Sequence, residues 1–266
     1  MRPYATMHSL PASLLTSYAA ILCDLDGCLI SGDHVYPGVH EFAALNGERL
    51  WIVSNNSSDT AATLSLRLAA LDLAIAPERI VLAGEQAVRR LAAERPSAKV
   101  AIHAEPPIQA LAEELGLVES AHLPEWVLLA RDTRLNLPRL AAVLAQIEAG
   151  AALFVTNLDT AHPDPEGLPV PETGALLAAL RACKTDLSFR SIGKPAPDLI
   201  EIALGRAGAV PGEAVFIGDN VTTDGEAARV AGVDFIHLRS SHLALSRLPL
   251  GEEKPAVLDG ARRAAC

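Results

Sequence analysis

The sequence predicts an α/β fold: a doubly wound parallel-sheet core of Rossmann-like type, with a second α/β unit inserted into it. Three observations carry this. Short apolar runs alternate with Ala/Leu-rich amphipathic stretches, which is the pattern of βαβ units. Acidic, amide and hydroxyl residues gather directly after several of the apolar runs, where open α/β sheets place their ligands. Roughly 100 residues with strands and helices of their own separate two of these segments, enough for a second hydrophobic core.

The predicted strands are Ala20–Cys23, Leu50–Val53, Lys99–His103, Trp126–Ala130, Ala152–Val155, Ala214–Ile217 and Val233–His237. The predicted helices are Asp59–Leu71, Glu85–Glu94, Pro107–Leu115, Pro138–Glu148, Thr173–Cys183, Pro197–Arg206 and Thr223–Ala231. Asp59 is positioned to cap the first of these helices, and Pro138 and Pro197 suit a first helical turn. Gly116, Gly150 and Gly232 fall where left-handed C-terminal caps are needed. The segment after Ser240 is rich in Pro, Gly and charge, and is expected to be loosely held.

Composition narrows the function. Half of the 266 residues are hydrophobic but only 4% are aromatic, so the core must be built from Leu, Ala, Val and Ile. A formal net charge of −10 with no Lys/Arg run argues against a nucleic-acid partner. No apolar run is long enough to cross a bilayer, and no signal-peptide core is evident, so no membrane partner is expected. The four cysteines form no CxxC pair and no disulfide framework, which points to a reducing, cytoplasmic setting. The eight histidines show no HxH or HExxH spacing, so a zinc site is not expected.

Four segments carry chemistry. Ile21-Leu22-Cys23 runs into Asp24-Leu25-Asp26-Gly27, two carboxylates two residues apart at a strand end. Val215-Phe216-Ile217 runs into Gly218-Asp219 and, after a turn, Asp224. Carboxylates converging on one point suit a hard divalent cation such as Mg²⁺. Trp51-Ile52-Val53 runs into Ser54-Asn55-Asn56-Ser57-Ser58, hydroxyl and amide groups suited to phosphoryl oxygens. Phe189-Arg190-Ser191-Ile192 runs into Gly193-Lys194-Pro195, where a fixed ammonium would offset phosphoryl charge. Taken singly, each segment reads equally well as a turn or a helix cap. Four in order, each at a strand end, read as a phosphate site.

These residues resemble the haloacid dehalogenase-like phosphatases, specifically the NagD/4-nitrophenylphosphatase-like branch. Asp24-Leu25-Asp26-Gly27 matches the first motif, Ser54 the second, Lys194 in Gly-Lys-Pro the third, and Gly218-Asp219 with Asp224 the fourth. Thr156-Asn157-Leu158-Asp159, Glu166-Gly167-Leu168-Pro169 and Thr173-Gly174-Ala175 resemble that branch's inserted unit. Two departures stand out. Ser54 replaces the usual Thr but keeps the hydroxyl. Glu172 follows Pro171 where a Gly is common, which bears on substrate choice.

The resemblance implies a core of residues 1–82 plus 185–266 and a cap of residues 83–184. It implies a Mg²⁺-dependent hydrolase of small phosphorylated metabolites that works through an aspartyl-phosphate. Asp24 would be the nucleophile and Asp26 the acid and then the base. Asp24, the Asp26 carbonyl, Asp219 and Asp224 would hold Mg²⁺, with Asp224 ligating directly or through water. Ser54, Asn55 and Lys194 would bind the phosphoryl group, and Asn157 and Asp159 would reach in from the cap. The Ala/Leu-rich helices also leave room for a homodimer through the cap.

A phosphomutase would keep the same first motif and is the enzymatic alternative. A receiver domain, phosphorylated on aspartate with Mg²⁺, fits less well. Here the second acid follows the first by two residues on one strand end, and a large insertion separates Ser54 from Lys194. An idle phosphate-binding module would have no need for so many adverse charges. His162, three after Asp159, reads as an exposed loop residue or a substrate contact. Arg131, Asp132 and Arg134 read as surface charge or a substrate contact. Cys23 should point away from Asp24 into the core.

Overall fold

The computed structural model describes residues 5–10, 15–164, 166 and 168–239. The segment after Ser240 that was expected to be loosely held, and Gly167, lie outside the described residues.

The chain begins with β1 (Ala5–Met7), β2 (Ala20–Cys23), the short hairpin β3 (Ile30–Ser31) and β4 (His34–Val35), then α1 (Val39–Asn46). It continues through β5 (Leu50–Ser54), α2 (Ala61–Ala69), β6 (Ile80–Leu82) and α3 (Ala83–Glu94). Next come β7 (Lys99–His103), α4 (Pro106–Glu114), β8 (Val118–Glu119), β9 (Trp126–Leu129), α5 (Leu137–Glu148) and β10 (Ala152–Val155). A hairpin of β11 (Ala161–Pro163) and β12 (Pro169–Pro171) leads to α6 (Thr173–Cys183). The chain closes with β13 (Arg190–Ser191), α7 (Asp198–Ala207), β14 (Ala214–Gly218), a π-helical turn over Val221–Gly225, α8 (Glu226–Ala231) and β15 (Asp234–Leu238).

The first sheet has six parallel strands in the order β1-β15-β14-β2-β5-β6. Every residue of β2 is fully buried, because helices cover both faces of the sheet and the strand must read as a continuous apolar run. The second sheet has five parallel strands in the order β13-β10-β9-β7-β8. Its last strand, Arg190–Ser191, comes from the returning chain. No helix among the described residues is long and apolar enough to cross a membrane.

All seven predicted strands and seven predicted helices form, with ends moved by a few residues. Asp59 does not cap α2. Thr60 does, in a reciprocal pair with Thr63, and Asp59 instead accepts from Arg67 and Asn56. Gly116, Gly150 and Gly232 all adopt positive φ just past helix ends, as expected.

Helix α1 and strand β6 are among the elements not predicted, for local reasons. Gly38 at the N-cap of α1 offers no side-chain acceptor, so the helix lacks a start signal. The strand β6 has three residues and passes into α3 with no polar break between them. Helix α3 then links the two layers. Its Ala83, Ala87, Val88 and Leu91 belong to one apolar cluster with Leu22 and Val53 of the first sheet and Ile102, Leu128 and Phe154 of the second. Burying a Leu or Val side chain in such a cluster contributes about 1.5–3 kcal/mol.

Candidate active site

Asp24 and Asp26 stand just beyond the carboxyl end of β2, and Asp219 beyond that of the neighbouring β14. Glycines bring these segments together. A Cβ at Gly27, which also has a φ of +82°, would lie 2.2 Å from Asp219 Oδ2. A Cβ at Gly218 would lie 2.3 Å from Asp224 Oδ2. Only a residue without a side chain lets the carboxylates sit against the opposing backbone.

Lys194 is the central cation. Its side chain is buried, with Nζ 2.8 Å from Asp24 Oδ1 and 2.7 Å from Asp224 Oδ1. It also donates to the Val53 carbonyl and lies over the Phe216 ring. Burial alone would lower its pKa, but Asp224 and Asp24 outweigh this and hold it above its ordinary value. One ammonium does not balance the acids around it. Burial, then the Asp24 charge, pushes Asp26 up to about 6 and Asp219 up to about 8. Burial pushes Asp224 up to about 7 against the opposing pull of Lys194.

The expected ligands divide on inspection. Asp24, Asp26, Ser54, Asn55, Asp159, Lys194 and Asp219 all line one cavity of about 520 Å³. Two others lie behind it. Asp224 is buried, with Oδ1 2.7 Å from Lys194 Nζ and Oδ2 accepting from the Asn220 N–H. Asn157, expected to meet substrate, is fully buried. It donates to the Asn55 carbonyl and accepts from the Asp159 N–H, so it supports the wall rather than lining it. The Asn55 amide, expected to reach the phosphoryl group, is also spoken for. Its Nδ2 donates to Asp159 Oδ2 and the Lys194 carbonyl, and its Oδ1 accepts from the Lys194 N–H. The close passage of Gly193 makes this clamp feasible, because a Cβ there would lie 2.7 Å from Asn55 Oδ1.

The second layer supplies a roof. Ser57 Oγ accepts from the Arg131 N–H and lies 3.1 Å from Thr173 Oγ1, tying the loop after β5 to β9 and α6. Arg131, His162 and Glu172 line the cavity. Glu172 Oε1 lies 2.7 Å from His162 Nδ1 and 3.2 Å from Arg131 Nε. His162 is therefore a cavity residue, and its hydrogen bond to Glu172 raises its pKa. Arg67 of α2 also lines the cavity and pairs with Asp59 at 2.9 Å. Sequence reasoning missed Arg67, because nothing local distinguishes it from an ordinary exposed helix residue.

The donor chemistry fits a hard cation. Ligand atoms of Asp24, Asp219 and Cys28 lie within 4.8 Å of one another. Cys28 hydrogen-bonds Cys23 and is buried, and both effects hold its thiol protonated, which leaves the two carboxylates as the ionic donors. Cys23 packs into the apolar layer beneath the site, as expected.

Comparison with known proteins agrees with this geometry. Residues 21–118 match the family described as haloacid dehalogenase-like hydrolase, and residues 191–258 match the HAD-hydrolase-like family. A dihydroxyacetone phosphatase from Corynebacterium glutamicum is 29% identical over 229 residues, covering 85% of this chain and 82% of that protein. A 4-nitrophenylphosphatase from Thermotoga maritima superposes with a TM-score of 0.79 at 24% identity, covering 85% of this chain and 87% of the other. A glycerol phosphate phosphatase from Mycobacterium tuberculosis, solved in complex with magnesium, superposes with a TM-score of 0.76 at 28% identity, covering 85% and 69%. The chain belongs to the haloacid dehalogenase-like hydrolases. Within them it is a phosphatase.

Proposed function

We propose that the chain hydrolyses small phosphate monoesters in two displacements at phosphorus, at the site built by Asp24, Asp26 and Lys194. The supporting observation is the ion-paired array Asp24–Lys194–Asp224, with Asp26 beside it at the same cavity wall.

In the first step an Asp24 carboxylate oxygen bonds to phosphorus and the ester P–O bond breaks. Asp26, its pKa raised to about 6, gives its proton to the departing oxygen, which leaves as the alcohol. In the second step Asp26, now ionised, takes a proton from water as that water bonds to phosphorus. The Asp24–phosphorus link breaks, inorganic phosphate is released and both carboxyls are restored. Lys194 opposes charge on the phosphoryl oxygens, and Ser54 at the cavity wall donates to them. Asp224 holds the Lys194 ammonium in place.

Asp24, Asp219 and the Asp26 carbonyl would hold the divalent cation, with Mg²⁺ the hard ion that such oxygens suit. When bound, the cation would neutralise phosphoryl charge. Residues 83–184 would act as the cap over a core of 1–82 and 185–266, excluding bulk water, with the protein at work in the cytoplasm.

Two results are expected. Exhaustive chelation should abolish turnover of 4-nitrophenyl phosphate, and Mg²⁺ should restore it. Full activity without a divalent cation would end this reading of the carboxylates. Asp26→Asn should lose about 10²–10⁴-fold in kcat on alkyl phosphates and much less on 4-nitrophenyl phosphate, whose leaving group needs little protonation. Equal losses on both esters, with chemistry rate-limiting, would remove Asp26 as the acid.

A further inference from the structure

The roof of the cavity carries a charge pattern that the phosphoryl chemistry does not use. Arg131, His162, Glu172, Arg67 and Asp59 line it. Asp26, the group assigned to the leaving oxygen, lines the same cavity, so this roof faces the part of the substrate that departs.

Within it Arg67 and Asp59 neutralise each other one to one. Glu172 Oε1 is shared between Arg131 and His162. Arg131 is held for use. Its main-chain N–H is fixed on Ser57 Oγ, its Nε faces Glu172, and its two Nη groups have no protein hydrogen bond among the described residues. A guanidinium presenting two free Nη groups beside a cavity matches a carboxylate, which accepts two parallel bonds from it.

We propose that Arg131 is a specificity-determining residue that binds a carboxylate on the leaving group, and that the preferred substrates are phosphate monoesters of hydroxy acids rather than of neutral polyols. Glu172 is the positioning residue that keeps the guanidinium over the cavity. This inference rests on the phosphatase reading above.

The test uses two esters that differ at one carbon, 3-phosphoglycerate with a carboxylate and glycerol 3-phosphate with a hydroxymethyl group. With Mg²⁺ present, the native protein should favour 3-phosphoglycerate by about tenfold or more in kcat/KM, carried mainly by KM. In Arg131→Met the ratio between the two esters should fall towards one, and Arg131→Lys should restore part of it. A native ratio of one or less would overturn the proposal without any variant being needed. So would a ratio unchanged in Arg131→Met. Turnover of 4-nitrophenyl phosphate by the native protein separates the two levels of failure. If it is present while the ratio fails, only this inference falls. If it is absent, the phosphatase reading falls and this inference with it.

Discussion

Asp24→Asn should be inactive, with turnover reduced by about 10⁴-fold or more on every ester. The amide that replaces the carboxylate is a poor nucleophile and forms no acyl phosphate. The effect should therefore be indifferent to the leaving group, unlike that of Asp26→Asn. Radiolabel from a 4-nitrophenyl [³²P]phosphate pulse should appear on the native protein after acid quench and be missing from the variant. The fold should not suffer. Asp24 raises the pKa of Asp26, Asp219 and Asp224, so its neutralisation relieves repulsion among buried acids. Lys194 also keeps Asp224 as a partner. An Asp24→Asn protein that unfolds no more easily than the native one in urea, yet turns nothing over, is the expected result. Retention of even a few per cent of native kcat would displace Asp24 from the nucleophile's role.

Lys194→Met should be damaged in both stability and rate. The ammonium is buried and faces two carboxylates and the Val53 carbonyl. Methionine fills a similar volume but leaves the Asp224 carboxylate buried without its counter-charge. Breaking a buried pair in this way is worth about 3–5 kcal/mol of destabilisation. The sign of its pH dependence follows from linkage. Without Lys194 the folded-state pKa of Asp224 rises further above its unfolded value, so the folded protein binds the extra proton. Stability of the variant should then improve as pH falls from above that raised pKa towards the unfolded value near 3.9. Urea unfolding at pH 7 and pH 5 in chelator reads this directly. A variant as stable as the native protein at pH 7 would show that the buried pair contributes little. Turnover should fall with it, because the charge opposing the phosphoryl oxygens is gone.

What was legible in the sequence follows from range. Asp24, Asp26, Asp219 and Lys194 were readable because each sits directly after an apolar run, and strand ends in a parallel sheet face one edge. Asn55 and Asn157 were read as ligands because an amide after a strand invites that reading. Their real partners, Lys194 and Asp159 for one and the Asn55 carbonyl for the other, come from distant segments that no local pattern announces. Asp224 was grouped with the metal ligands for its spacing from Asp219. In the structure the close approach of Gly218 leaves it against Lys194, a partner from a distant segment. His162 and Arg131 read equally as exposed residues or substrate contacts, and only the fold shows that Glu172 lies between them. The short strand β6 and the uncapped α1 escaped for the opposite reason, since their own residues lack start and stop signals.

Helix α3 has a consequence for how the molecule comes apart. Its buried face belongs to one apolar cluster that reaches into both sheets, while each sheet also keeps a cluster of its own. Loss of either layer would strip cover from the same alanines, valine and leucine, which couples the stability of the two layers. Substitutions on this helix are thus constrained by both layers at once.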